Sequence, residues 1–148
     1  MSSELEEDFP NLRASGYRIT SQPAPLPNCT GWALRDMDHW WDPLLGGFLS
    51  IYYWPSGVPK NDSIDALVEV FRLHGYQECP GPELEADWER IAIYSDANGD
   101  ATHVARQLPS GSWTSKLGQR EDIEHETLEA LLGDNYGSVA KVMRRQLP

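Results

Sequence analysis

Only two cysteines, Cys29 and Cys79, occur in the 148 residues, so no disulfide framework is available and both are read as reduced thiols. Basic residues are scarce as well: Lys and Arg number 12 against 23 Asp and Glu, a net charge of −11. No basic stripe runs along the chain, which excludes nucleic-acid binding driven by counterion release and docking on an anionic membrane. The excess of negative charge favours a neutral or basic partner. No apolar run approaches the roughly 20 residues that span a bilayer. The N-terminus has neither the basic region nor the apolar segment of a secretory leader. The expected compartment is the cytoplasm, with export by a dedicated secretion machine as the other route. Internal repeats are absent, and no pattern sets an oligomeric state.

Metal-ligand spacing is missing too. His39, His103, His125 and Cys29 offer ligand types, but no Cys-x-x-Cys or His-x-x-x-His accompanies them, so no metal or other cofactor is expected. Asp96, Asn98 and Asp100 imitate the start of a calcium loop without its later Gly and Glu, and read as a turn.

What the chain does have is aromatic mass, six Trp and six Tyr, and 40% apolar residues, enough for one core. Residues 1–16 carry Glu4, Glu6, Glu7 and Asp8 and read as a flexible acidic arm; 17–148 reads as a single domain. Pro23, Pro25 and Pro27 give an extended lead-in to Asn28-Cys29-Thr30, where a capped helix is expected. A strand is expected over 46–54. Ile64, Leu67, Val68 and Phe71 recur at helical spacing behind a capping run at 61–63. Trp88–Tyr94, Thr102–Leu108 and Trp113–Lys116 alternate with Asn98-Gly99 and Ser110-Gly111, the signature of an antiparallel meander. The tail, 126–145, reads as helical.

Cys29 at the start of a helix is where a thiol finds help to ionise. His103 opens a strand, which would fix its ring as a base. Ser115, an even number of residues further on across a hairpin, is placed to orient that ring. Asp122 and His125 are alternatives for the same task. Gln22, upstream of Cys29, is a weak candidate for the oxyanion site and reads better as surface. A buried structural thiol is the bland alternative for Cys29, and Cys79 reads as incidental.

Asn28-Cys29-Thr30-Gly31-Trp32-Ala33 resembles the nucleophile stretch of the NlpC-like cell-wall peptidases, a papain-like branch of cysteine hydrolases. Thr102-His103-Val104-Ala105, followed by Leu108 and Gly111, is similar to that family's histidine strand. The chain also resembles a small uncharacterised bacterial family with the motifs NCxxWA, YWPxGVP, HxARQLPxG and WxSKLG, here at 28–33, 53–59, 103–111 and 113–118. The resemblance implies an α+β papain-like (NlpC-like) domain in which an N-terminal Cys-bearing helix packs on an antiparallel sheet and C-terminal helices follow. It implies a peptide or amide hydrolase with Cys29 as nucleophile, His103 as base and Ser115 as the third residue. Trp32, Trp40, Trp41, Trp113 and Lys116 flank these positions in sequence and are candidates for binding substrate. The alternative is a catalytically silent domain of the same kind that binds a protein partner as an immunity or accessory protein.

Overall fold

The structure, a computed structural model, describes residues 3–148. Two short helices, α1 (Ser3–Asp8) and α2 (Leu12–Ser15), lead into strand β1 (Tyr17–Ser21). Helix α3 (Cys29–Leu34) follows, then the two-residue strands β2 (Trp40–Trp41) and β3 (Tyr52–Tyr53), which pair in parallel. Helix α4 (Ile64–Leu73) precedes β4 (Gln77–Glu78), β5 (Trp88–Ser95), β6 (Ala101–Gln107), β7 (Trp113–Lys116) and β8 (Asp122–His125). A 3-10 turn at Leu128–Leu131 and the long strand β9 (Ser138–Gln146) complete the chain. All strands except β2 and β3 form one antiparallel sheet in the order β1-β8-β7-β6-β5-β9-β4.

This overturns the papain-like layout expected from the sequence. The helices are few and short, and the tail read as helical is a 3-10 turn followed by a strand inserted between β5 and β4. Val139 and Met143 stand four apart, which imitates a helical stripe. In β9, which is covered on both faces, the register shifts opposite Ile93 and Tyr94, so Val139 and Val142 pack on one side and Met143 on the other. Such a strand shows no simple alternation. Gly137 admits it to the sheet: its φ is +76°, and a Cβ there would lie 2.0 Å from the Ser95 carbonyl oxygen. The expected strand at 46–54 shrinks to β3, preceded by turns.

Alternation along β5 and β6 divides the core into two layers. Ile91, Ile93 and Val104 face α3 and α4, where Ala33, Val70 and Phe71 meet them. Ala92, Tyr94 and Ala105 face the opposite layer, filled by Trp113, Ile123, Leu131 and the N-terminal residues Leu5, Phe9 and Leu12. The segment read as an acidic arm therefore carries helices whose apolar side is buried; Met1 and Ser2 lie outside the described residues. Each fully buried Ile or Phe contributes on the order of 2 kcal/mol. Helix α4 is capped by Ser63, whose hydroxyl accepts from the Ala66 amide at 3.1 Å.

One buried carboxylate ties the α3 side of the sheet together. Glu89 accepts from Arg35 at 2.9 Å, Tyr76 at 2.8 Å and Arg145 at 3.3 Å, with Arg106 at 3.9 Å. Burial alone would raise its pKa, but these hydrogen bonds and guanidinium charges hold it below the usual carboxylate range.

Candidate functional site

Asn28 builds the entrance to α3. Its Oδ1 accepts from the Gly31 amide at 3.2 Å as an N-cap and from the Trp41 amide at 3.1 Å. Its Nδ2 donates to the Trp41 carbonyl at 2.8 Å. One side chain thus caps the helix and clamps β2 beside it. An aspartate has no donor for the third bond, so only an amide side chain makes all three. Gly31 lets the chain close up here, since a Cβ would sit 2.8 Å from both the Asp36 carbonyl oxygen and Pro27 Cβ.

Helix α3 packs on β6 and β7, and Cys29 at its first turn and His103 near the start of β6 line the same cavity, of about 190 Å³. Cys29 keeps some solvent access as a residue, yet burial pushes its thiol up, opposed by the amide of Val104 and by Thr30. His103 is 1% exposed and lies between Tyr94 and Tyr136; the Tyr136 ring stacks on it at 4.2 Å and 4°. Burial, and then the neighbouring His125, push its ionisation well below the usual histidine value.

Behind His103 runs a relay. His103 Nε2 lies 2.9 Å from Ser115 Oγ, and Ser115 Oγ lies 2.8 Å from His125 Nε2. His125 Nδ1 lies 2.8 Å from the Thr127 carbonyl. A carbonyl only accepts, so His125 carries its proton on Nδ1. Burial lowers its pKa to about 4, so its Nε2 is bare at neutral pH and takes the Ser115 hydroxyl proton. The Ser115 oxygen then accepts from His103 Nε2–H. His103 is left with an unprotonated Nδ1, and that nitrogen is buried without a hydrogen-bond partner. The relay has fixed one imidazole as a base whose lone pair is unused.

The expected binding residues divide. Trp40 and Trp41 line the cavity. Trp32 and Trp113 do not: Trp32 Nε1 donates to Thr114 Oγ1 at 3.0 Å, and Trp113 is buried in the far core layer. Lys116 is also absent from the lining; its ammonium is buried, donating to the Ala24 carbonyl at 2.7 Å and to that of Gly118. Ser115 sits behind His103 rather than in the cavity. Gln22 is exposed, and Asp122 bonds to Thr20. Sequence reasoning missed Trp54, Asp42 and Asp62, which also line the cavity. They come from the long connection between α3 and α4, where no periodicity marks them.

A sequence profile described as "Domain of unknown function (DUF7689)" matches residues 18–144. The chain belongs to the DUF7689 family. The match takes in every residue of the cavity and of the relay behind it, so site and DUF7689 domain coincide. No curated protein matches the chain, and neither does any solved structure.

Proposed function

We propose that this DUF7689 protein is a cysteine-dependent amide or peptide hydrolase in which Cys29 is the nucleophile and His103 the base. The observation that supports it is the relay His103–Ser115–His125, which leaves His103 Nδ1 as an unused proton acceptor on a residue that shares the cavity lining with Cys29. Leaving that nitrogen desolvated and unpaired costs about 1–3 kcal/mol, a cost that a proton-accepting role would account for.

Both partners rest neutral, because burial raises the thiol and lowers the imidazole. The reaction then begins with general-base transfer: the Cys29 S–H proton passes to His103 Nδ1 as sulfur bonds to the amide carbonyl carbon. The C–N bond breaks as His103 returns that proton to the leaving amine. Water, deprotonated by the same nitrogen, hydrolyses the thioester. Cys29 and His103 make no hydrogen bond in the free protein, and the His103 ring stands on the Tyr94 and Tyr136 side of β6, so the reading requires substrate binding to bring the sulfur and Nδ1 together.

The second reading is a catalytically silent domain that binds a protein partner. The raised thiol favours it, since a thiol held neutral is a poor nucleophile. A panel of peptide and amide substrates, with wild type and Cys29→Ala, separates the two. Turnover abolished by Cys29→Ala supports the hydrolase. Turnover indifferent to it ends the thiol mechanism, and no turnover on any member favours the silent domain.

A further inference from the structure

Eleven large apolar side chains are exposed among the described residues, and six of them stand within ten residues of one loop, the connection between β2 and β3. Leu44 is 75% exposed, Leu49 63% and Phe48 59%; Leu45 and Tyr53 follow at 40% and Ile51 at 38%. Single exposed apolar residues are ordinary, but six on one loop are not. Residues 43–59 also carry no charged side chain, in a chain of which 24% is charged.

The loop is held from within. Asp42 Oδ1 accepts from the amides of Leu44 at 2.8 Å and Leu45 at 3.0 Å. The Phe48 amide donates to the Leu45 carbonyl at 2.8 Å, and the Gly47 amide to the Tyr52 carbonyl at 2.9 Å. At the base, the Trp40 and Asp42 amides donate to the carbonyls of Ile51 at 2.7 Å and Tyr53 at 3.0 Å. Gly46 is packed down on Trp54, where a Cβ would lie 2.5 Å from Trp54 Cβ. The backbone is thus tied down while the apolar side chains stay in water.

Leu49 adds an independent observation. Its φ is +52°, a left-handed conformation that glycine adopts freely and that costs a leucine energy. A side chain so exposed gains little from packing within the fold. A contact outside the fold is what would offset the strain.

Charge and area select the occupant. The net charge of −11 would favour a basic partner, but such a partner finds no carboxylate between 43 and 59 to pair with. An identical uncharged loop meets this one without burying an unpaired charge. At roughly 150–250 Å² for a large side chain, the six leave on the order of 600 Å² of apolar surface exposed. Two such loops pressed together remove up to about 1,200 Å² from water, the size at which specific interfaces begin. Apolar patches that meet themselves across a two-fold axis are the ordinary construction of homodimers.

We propose that residues 43–53 form a self-association surface, on which two copies of this chain meet loop to loop with Phe48 and Leu49 at the contact. An interface of this size gives a weak dimer, with a dissociation constant on the order of 1–100 μM. The connection leaves the cavity lining at Asp42 and Pro43 and rejoins it at Trp54, so the second copy stands on the same segment that walls the Cys29 cavity. Self-association does not depend on whether Cys29 is a nucleophile.

Sedimentation equilibrium of the full chain, at concentrations on both sides of that range and at low and high salt, tests this. A single monomer–dimer equilibrium should appear, and added salt should tighten it by screening the −11 that each copy carries. Phe48→Glu sets a charge at the contact and should weaken association at least roughly tenfold. Leu84→Glu, at a leucine 51% exposed elsewhere on the surface, should leave association unchanged. Leu49→Gly removes the side chain and relieves the backbone, so association should weaken roughly tenfold while the urea midpoint does not fall. A monomer at every concentration, a dimer indifferent to Phe48→Glu, association weakened by salt, or open-ended growth past the dimer each overturns the proposal. The same samples are spun with zwitterionic phosphatidylcholine vesicles. A monomer that sediments with them, and no longer does so as Phe48→Glu, assigns the loop to a lipid surface and likewise overturns the second copy.

Discussion

Ser115 Oγ lies 2.9 Å from His103 Nε2 and 2.8 Å from His125 Nε2, so one buried hydroxyl sets the protonation pattern of two imidazoles. Its direction is imposed from the far end, where the Thr127 carbonyl can only accept. The consequence is a bare Nδ1 on His103, buried between Tyr94 and Tyr136.

Ser115→Ala should remove the relay and little else. It strands two ring nitrogens in a dry interior, which costs roughly 1–3 kcal/mol, seen as a lower urea midpoint. It should also free the His103 tautomer, so that ring nitrogen chemical shifts, sharp and of one tautomer in the wild type, become averaged. An unchanged tautomer would show that Ser115 does not set it.

Acid should destabilise the fold through the same histidines. Both folded-state values lie below that of an unfolded histidine, about 6.5, with His125 at about 4. Between these limits the unfolded chain binds protons that the native state refuses, so stability falls as pH drops from about 6.5 toward 4. For His125 the loss is on the order of 3 kcal/mol once complete. Urea midpoints across this window check it, and His125→Gln should flatten the slope.

How far the sequence foretold this arrangement depends on where each residue lies. Helix α4 was legible because Ile64, Leu67, Val68 and Phe71 keep one period behind the Ser63 cap. Strands β5, β6 and β7 were legible because turn dipeptides separate them. Strand β9 was not, because burial on both faces removes the alternation that marks a strand. The acidic residues around Leu5, Phe9 and Leu12 hid a helical apolar spacing. Cys29, His103 and Ser115 could be named from local context. Asp42, Asp62 and Trp54 could not, since a long connection with two-residue strands leaves no periodic trace.

Asn28→Asp is a one-atom change with a specific cost. It keeps the oxygen that caps α3 but removes the donor to the Trp41 carbonyl and brings a charge into a buried site. A loss of about 1–3 kcal/mol is expected, together with a change in tryptophan emission as β2 loosens. Stability equal to wild type would mean that the Nδ2 bond contributes nothing.

Glu89→Ala should be among the most damaging substitutions on the α3 side. It leaves the largely buried Arg106 without its anion and Arg35, Arg145 and Tyr76 without their acceptor. Breaking such a buried pair costs roughly 3–5 kcal/mol. Glu89→Gln, which keeps an acceptor but not the charge, should cost less, and thermal melts of both variants give the ordering.

The most direct test of the central claim is the rate at which iodoacetamide alkylates Cys29 in Cys79→Ser protein from pH 5 to 9, followed by intact mass. If His103 is its base, His103→Gln should slow alkylation at least roughly tenfold near neutral pH while circular dichroism shows the fold retained. Equal rates with and without the His103 imidazole, in folded protein, would contradict the Cys29–His103 pair.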